Sequence, residues 1–226
     1  MSTLLARPCE KLRDHLLKVS ELSERLAEDL WLGFNDLARI AGLLHDLGKG
    51  DRGAQERYAK RGGAPGHEVL SFAVARGILE ALGLREVDAS IILLAILRHH
   101  QAMASPAERL DQLIRYKWFK GEANVQELSS IISQGLGQQV DISWPRDTRE
   151  LENLVGEAWK KYCYKALADL GTQLRARLLT GVLIAADYYV AYESRKKQER
   201  GGATRLAVEL EHFFESLEKL RREVEG

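Results

Sequence analysis

The sequence predicts a single all-α domain, with a less regular excursion near residues 121–147. Apolar residues recur at three- and four-residue steps along most of the 226-residue chain, the spacing of one helix face. No repeat, low-complexity tract or long linker divides it. Hydrophobic residues make up 45% and charged residues 29%, enough apolar side chain to bury a sizeable core.

The elements follow in order. From Lys11 to Leu30 an apolar stripe runs through Leu12, Leu16, Val19, Leu22, Leu26 and Leu30. Asn35 or Asp36 can cap a second helix with Leu37, Ile40, Ala41 and Leu44 on its apolar face, and Gly48 is placed to end it. Asp51 to Gly66, rich in Gly, Arg and Lys, reads as a loop or broken helix. A third helix spans His67 to Leu82 and stops at Gly83. A fourth, Glu86 to His100, carries the seven-residue apolar run Ile91–Leu97 and is expected to be buried on most sides. Pro106 suits the first turn of a fifth helix reaching about Phe119.

Within the excursion, Val125 to Gln134 suits a short helix, and Val140 to Trp144 suits a strand before Pro145. Helical pattern returns from Thr148 to about Leu170 and from Gln173 to Arg195. After Gly201-Gly202 comes a last amphipathic helix, Leu206 to Val224, within a C-terminal segment of about 203–225. The whole of 1–226 is expected to form one unit, with a core at about 12–195.

Lys plus Arg and Asp plus Glu each number 33, so the formal charge is zero and a strongly basic nucleic-acid wrapper is excluded; any polyanion site must be a local patch. Cys9 and Cys163 are too few for a disulfide framework. No apolar signal core begins the chain and no apolar run is long enough to span a bilayer, so a cytoplasmic protein is expected.

The chemistry is concentrated in the histidines. His45 and Asp46 end an apolar helix, where imidazole and carboxylate are costly to bury without partners. Both carry lone pairs, and mixed nitrogen and oxygen ligation suits borderline divalent ions. His15 lies on or beside the first helix's stripe, His67 opens a helix, His99 and His100 end one, and Asp187 sits in a small-residue apolar stretch. Singly, each reads as an ordinary hydrogen-bonded polar residue. Together, five histidines and two aspartates on helices that can share a core point to a metal site. His212, in a charged final helix, is not part of that set.

The string His45-Asp46-Leu47-Gly48-Lys49 is similar to the signature of the HD superfamily of metal-dependent phosphohydrolases. With upstream His15, Gly66-His67-Glu68 and Ser71, the double His99-His100 and the late Ala186-Asp187, the series resembles the stand-alone HD nuclease of the CRISPR-associated Cas-three family. No helicase domain is expected here, and Lys49 is not a nucleotide-loop lysine, since five residues separate Gly42 from Gly48 and Gly50 replaces Ser or Thr.

The resemblance implies a nuclease hydrolysing single-stranded DNA in CRISPR antiviral defence, with a separate helicase subunit and an RNA-guided surveillance complex as partners. It also implies two divalent ions of the Mn, Ni, Co or Fe type, or Mg. Asp46 would bridge them, with His15, His45 and Asp187 completing one site and His67, His99 and His100 the other. Lys49 would meet a phosphate oxygen, or else simply favour a helix C-terminus, and Ser71 would support a ligand without being one. Arg52, Arg57, Lys60 and Arg61 after the His-Asp pair, and Arg195, Lys196, Lys197 and Arg200 after Asp187, are candidates for the nucleic-acid backbone. Tyr58, Tyr188, Tyr189 and Tyr192 are candidates for base stacking. Alternatives are a nucleotide phosphohydrolase or cyclic-nucleotide phosphodiesterase of the same superfamily, or a helical scaffold with a structural metal.

Overall fold

A computed structural model describes residues 3–8, 10–60, 62–100 and 106–196, together with helical positions Glu209, His212, Phe213, Glu215, Ser216, Lys219 and Arg222. The fold is helical, as expected. A feature that periodicity does not reveal precedes the helices: an antiparallel hairpin of β1 (Leu5–Arg7) and β2 (Glu10–Lys11). Gln55 pins it in place. Its amide exchanges hydrogen bonds with the Leu5 backbone at 2.9 Å and donates to the Lys49 carbonyl at 2.6 Å.

Helix α1 (Leu12–Asp29) buries Leu12, Leu16, Val19 and Leu26 of the expected stripe, and His15 with them. Helix α2 (Asn35–Leu44) packs against it at close range. A Cβ on Gly42 would lie 2.7 Å from the Ser20 Cα, so glycine is what lets the two backbones approach. Helix α2 ends at Leu44 without help from Gly48. Gly48 lies instead in a 3-10 turn, Leu47–Gly50, where an added Cβ would stand 2.1 Å from the His67 carbonyl oxygen. Its role is close approach, not helix termination.

The stretch read as a loop or broken helix contains α3 (Arg52–Ala59). Asp51 caps it, its Oδ1 accepting from Gly53 N–H at 2.8 Å and from Lys120 N–H at 3.0 Å. A well-placed cap and a tie to a distant loop outweigh the weak apolar pattern of this segment. Helices α4 (His67–Ala81) and α5 (Glu86–Arg98) follow, separated at Gly83, whose φ of +66° suits glycine. Helix α5 is buried throughout Asp88–Leu97 and packs against α2, α4 and α10, so the apolar run forms the centre of the core.

Helix α6 (Pro106–Arg115) stops short of Phe119 because the chain turns through Lys117, whose φ is +52°. Helix α7 (Val125–Leu136) is capped by the Asn124 side chain, which accepts from Glu127 N–H at 3.2 Å. The strand expected at Val140–Trp144 does not form. The alternation is genuine, with Val140, Ile142 and Trp144 buried and the residues between them exposed. The ladder is missing because Val140 bonds to helix hydroxyls: its N–H donates to Ser133 Oγ at 2.9 Å and its carbonyl accepts from Ser129.

Helix α8 (Thr148–Ala158) continues through a π turn, Trp159–Cys163, into the short α9 (Tyr164–Ala166), and α10 (Leu170–Lys196) closes the bundle. Most of the expected helix Leu206–Val224 lies outside the described residues, as does Arg61; the described positions within it are helical and exposed. Among the described residues, no helix is long and apolar enough to cross a membrane.

The Gly48 contact yields a prediction. Gly48→Ala forces the 3-10 turn away from α4 and should cost about 1–3 kcal/mol of stability, the usual range for overpacking. A urea titration reads this as a lower midpoint. An unchanged midpoint would show that the turn and α4 are not in tight contact.

Candidate metal centre

Five segments deliver the predicted side chains to one place. His15 projects from the buried face of α1, and His45 directly follows the last residue of α2. Asp46 has φ −109° and ψ 14°, the sparsely populated bridge region that turns its carboxylate back into the core. His67 is the first residue of α4, placed after Gly66 at φ +81°. His99 and His100 follow α5, and Asp187 comes from the middle of α10. His15, His45 and Asp46 are wholly inaccessible. His67, His99 and Asp187 are buried, and His100 is half-buried.

Asp46 is the centre of the arrangement. Its Oδ2 lies 3.1 Å from His15 Nε2 and 3.3 Å from His45 Nε2. Its Oδ1 lies 2.8 Å from His67 Nε2 and 3.7 Å from His99 Nε2. Asp187 Oδ1 is 3.2 Å from His15 Nε2 and 3.9 Å from His45 Nε2, while His100 Nε2 is 3.1 Å from His67 Nε2. The donors divide into two groups able to hold a metal ion: His15, His45, Asp46 and Asp187; and Asp46, His67, His99 and His100. All seven of the expected ligands are included, and Asp46 belongs to both groups.

The imidazoles are aimed by their other nitrogens. Nδ1 of His45, His67 and His99 sits 2.8, 2.5 and 2.6 Å from the carbonyl three residues earlier, at Gly42, Ala64 and Ile96. Each Nε2 is thereby turned toward Asp46, an outer hydrogen bond typical of ligating histidines. Nε2 of His15, His45 and His99 and Oδ1 of Asp46 are buried without a well-directed hydrogen bond. Buried polar atoms left this way are costly, and several converging on one point fit cations. The residues present suit a divalent metal.

The electrostatics agree. Burial opposes charge on His15, but the Asp187, Asp46 and Glu10 carboxylates overcome it and raise its pKa to about 10. Burial likewise disfavours the Asp46 and Asp187 anions. The imidazoles around both, with Lys49 at Asp46, nevertheless hold the two carboxyls well below the usual range. His45 is pushed down by burial, and His100 falls to about 2 through burial beside His99 and His67.

Residues absent from the sequence reading surround this centre. The hairpin contributes Arg7, 3.1 Å from Asp187 Oδ1 and 2.8 Å from Glu10 Oε2, and Glu10, whose Oε1 is 3.4 Å from His15 Nδ1. No periodicity marks either residue. Lys49 donates to Asp46. Ser71 Oγ accepts from Gly48 N–H at 2.8 Å, fixing the backbone just after Asp46. An open cleft of about 400 Å³ reaches the centre, walled by Arg7, Lys49, Tyr58, Gly62, Gly63, His67, His100, Asp187 and Tyr188.

The remaining candidates are dispersed. Arg52 is committed to Glu56 and Glu122 at 2.9 and 2.8 Å. Arg57 is half-buried and donates to the Gly63 carbonyl at 2.6 Å, and Lys60 is exposed. Lys197 and Arg200, with the side chains of Arg195 and Lys196, lie outside the described residues. Tyr58 is buried in the cleft wall, with 5% of its surface exposed. Tyr188 is exposed in that wall; Tyr189 is half-buried in a separate groove between α1 and α10, and Tyr192 is half-buried. His212 is exposed near Glu215 and belongs to neither ligand group.

Two predictions follow from this geometry. Glu10→Gln keeps the shape but removes the charge behind His15, and should weaken metal affinity about 10–100-fold, measured by competition with a chromogenic chelator. Equal affinity would remove Glu10 from the site. Metal loading at pH 7 should also release at least one proton, because His15 holds a proton until a pH near 10, the carboxylates raise His99 as well, and a protonated ring cannot ligate. Protons and metal compete for the same lone pairs, so affinity falls as pH falls. Calorimetry in buffers of different ionisation enthalpy reads the release, and a buffer-independent heat contradicts it.

Comparison with known proteins agrees with this reading. No curated protein is significantly similar to the chain. Among solved structures, the CRISPR-associated Cas3 HD domain protein of Methanocaldococcus jannaschii superimposes with a TM-score of 0.53 at 17% identity, covering 83% of this chain and 100% of that one. The similarity is one of fold. The HD domain family model matches residues 12–134, the segment that supplies every histidine of the cluster and the central Asp46. With more than half its length matched, the chain belongs to the HD domain family.

Proposed function

We propose that the protein is a metal-dependent nuclease that hydrolyses phosphodiester bonds of single-stranded DNA, acting in CRISPR interference beside a separate helicase and an RNA-guided complex. The observation that carries this is the pairing of two potential ligand groups through one carboxylate, at the bottom of an open cleft with cations in its wall. Family membership supports the hydrolase class. The likeness in fold to a Cas3 HD domain protein, together with the ordered series from His15 to Asp187, supports the nuclease and its setting.

Asp46 would be shared between two divalent ions, His15, His45 and Asp187 completing one site and His67, His99 and His100 the other. Divalent cations in such a site supply a strong nucleophile at neutral pH and neutralise charge developing on the phosphate. The chain's own residues prepare the rest. Backbone carbonyls hold three of the imidazoles in the orientation that leaves Nε2 free to ligate. Glu10 faces His15 from the side opposite the aspartates, and Arg7 steadies Asp187. Lys49, beside Asp46 and in the cleft wall, would meet a non-bridging oxygen of the substrate. An open cleft suits a polymer that enters sideways better than a small nucleotide that needs enclosure.

Incubation of the Mn- or Ni-loaded protein with circular single-stranded DNA should give cleavage that a chelator stops. Asp46→Ala should lower the rate by more than about a hundredfold while far-UV circular dichroism stays unchanged. Cleavage at the original rate by that variant would refute the assignment. Turnover of nucleoside phosphates or cyclic nucleotides with no cutting of DNA would point instead to a nucleotide phosphohydrolase.

A further inference from the structure

In the segment after α6, Tyr116 and Trp118 stack with ring centroids 4.8 Å apart and an interplanar angle of 22°. The Arg57 guanidinium lies over Trp118, 4.6 Å from its centroid. Three flat groups thus form a ladder of cation, indole and phenol. Lys117, between the aromatics, adopts φ +52°, a conformation unusual for a side chain other than glycine that brings both rings to one side. The ladder joins the catalytic region at its inner end. Arg57 Nε donates to the carbonyl of Gly63, which walls the cleft, and Trp118 shares a small cavity with Ala64 and His67. Its outer end is open: Tyr116 is 57% exposed, with one ring face covered by Trp118.

An exposed, pre-stacked ring beside a cation, leading away from a phosphate-hydrolysing centre, matches what unpaired bases need. Stacking is available to any base, and the guanidinium adds attraction to the aromatic faces and to nearby phosphates. We infer that Tyr116, Trp118 and Arg57 form a stacking platform for an unpaired nucleobase flanking the phosphate bound in the cleft. This rests on the nuclease reading above and adds how the strand is gripped without reading its sequence. Packing alone accounts for Trp118, which borders the core, but not for a solvent-facing Tyr116 laid parallel on it.

Binding tests the platform separately from catalysis. Fluorescence anisotropy with chelator present would compare wild type and Tyr116→Ala on a short oligothymidylate, on its oligouridylate counterpart and on an abasic strand of equal length. The variant should bind both base-bearing strands about 5- to 150-fold more weakly, the range of one lost base stack, and the abasic strand equally well. Tyr116→Phe should retain wild-type affinity. An unchanged Kd for the base-bearing strands overturns the platform, as does an equal loss on the abasic strand; thermal unfolding confirms that the exposed substitution leaves the fold intact. Hydrolysis of bis(p-nitrophenyl) phosphate by wild type reports on the metal centre alone. Its absence would count against the nuclease reading while leaving the binding comparison intact.

Discussion

A carboxylate with no access to water governs this structure. Asp46 lies at the junction of α2 and the following turn, and its charge must be balanced inside the core or the fold would not tolerate it. Four imidazoles lie within 4 Å, the charged His15 among them, and the Lys49 ammonium donates to the carboxylate. The surrounding helices converge on it. Helix α1 brings His15, α4 starts where His67 can reach Oδ1, and α5 ends where His99 can. The glycines at 42 and 48 permit the close approaches this convergence needs.

Around that core lies a layer that aims and tunes it. The β1–β2 hairpin is too small to fold alone, yet it places Arg7 against Asp187 and Glu10 against His15, and Gln55 anchors it to the turn carrying Lys49. A second buried pair, Glu68 with Arg109 at 3.3 Å, ties α6 to the start of α4 beside His67. The hairpin and α6 therefore both brace the site, and the hairpin also walls the cleft.

Much of this was legible in the sequence because burial makes polar residues conspicuous. A His-Asp pair after an apolar helix, a double histidine after seven apolar residues and an aspartate among alanines stand out against their surroundings, and those side chains do meet. What was missed lacks such contrast. Arg7 and Glu10 sit in a hairpin of a few residues, too short for any period to show. Helix α3 has little apolar character and depends on Asp51 and a contact to Lys120, a partner distant in sequence. Val140–Trp144 alternates as a strand does but satisfies its backbone on helix hydroxyls, which only the tertiary packing decides. Tyr116 and Trp118 fall in the stretch expected as the end of the fifth helix, and nothing in the sequence marks them as a pair until Tyr116 is seen stacked on Trp118 beside Arg57.

Two cations flanking one shared carboxylate are the core of the proposed function. An anomalous difference map from crystals of the protein soaked in Mn(II), collected at the Mn absorption edge, tests it most directly. Two peaks about 3.5–4 Å apart on either side of Asp46 are expected. A single peak, or density remote from Asp46, would contradict it.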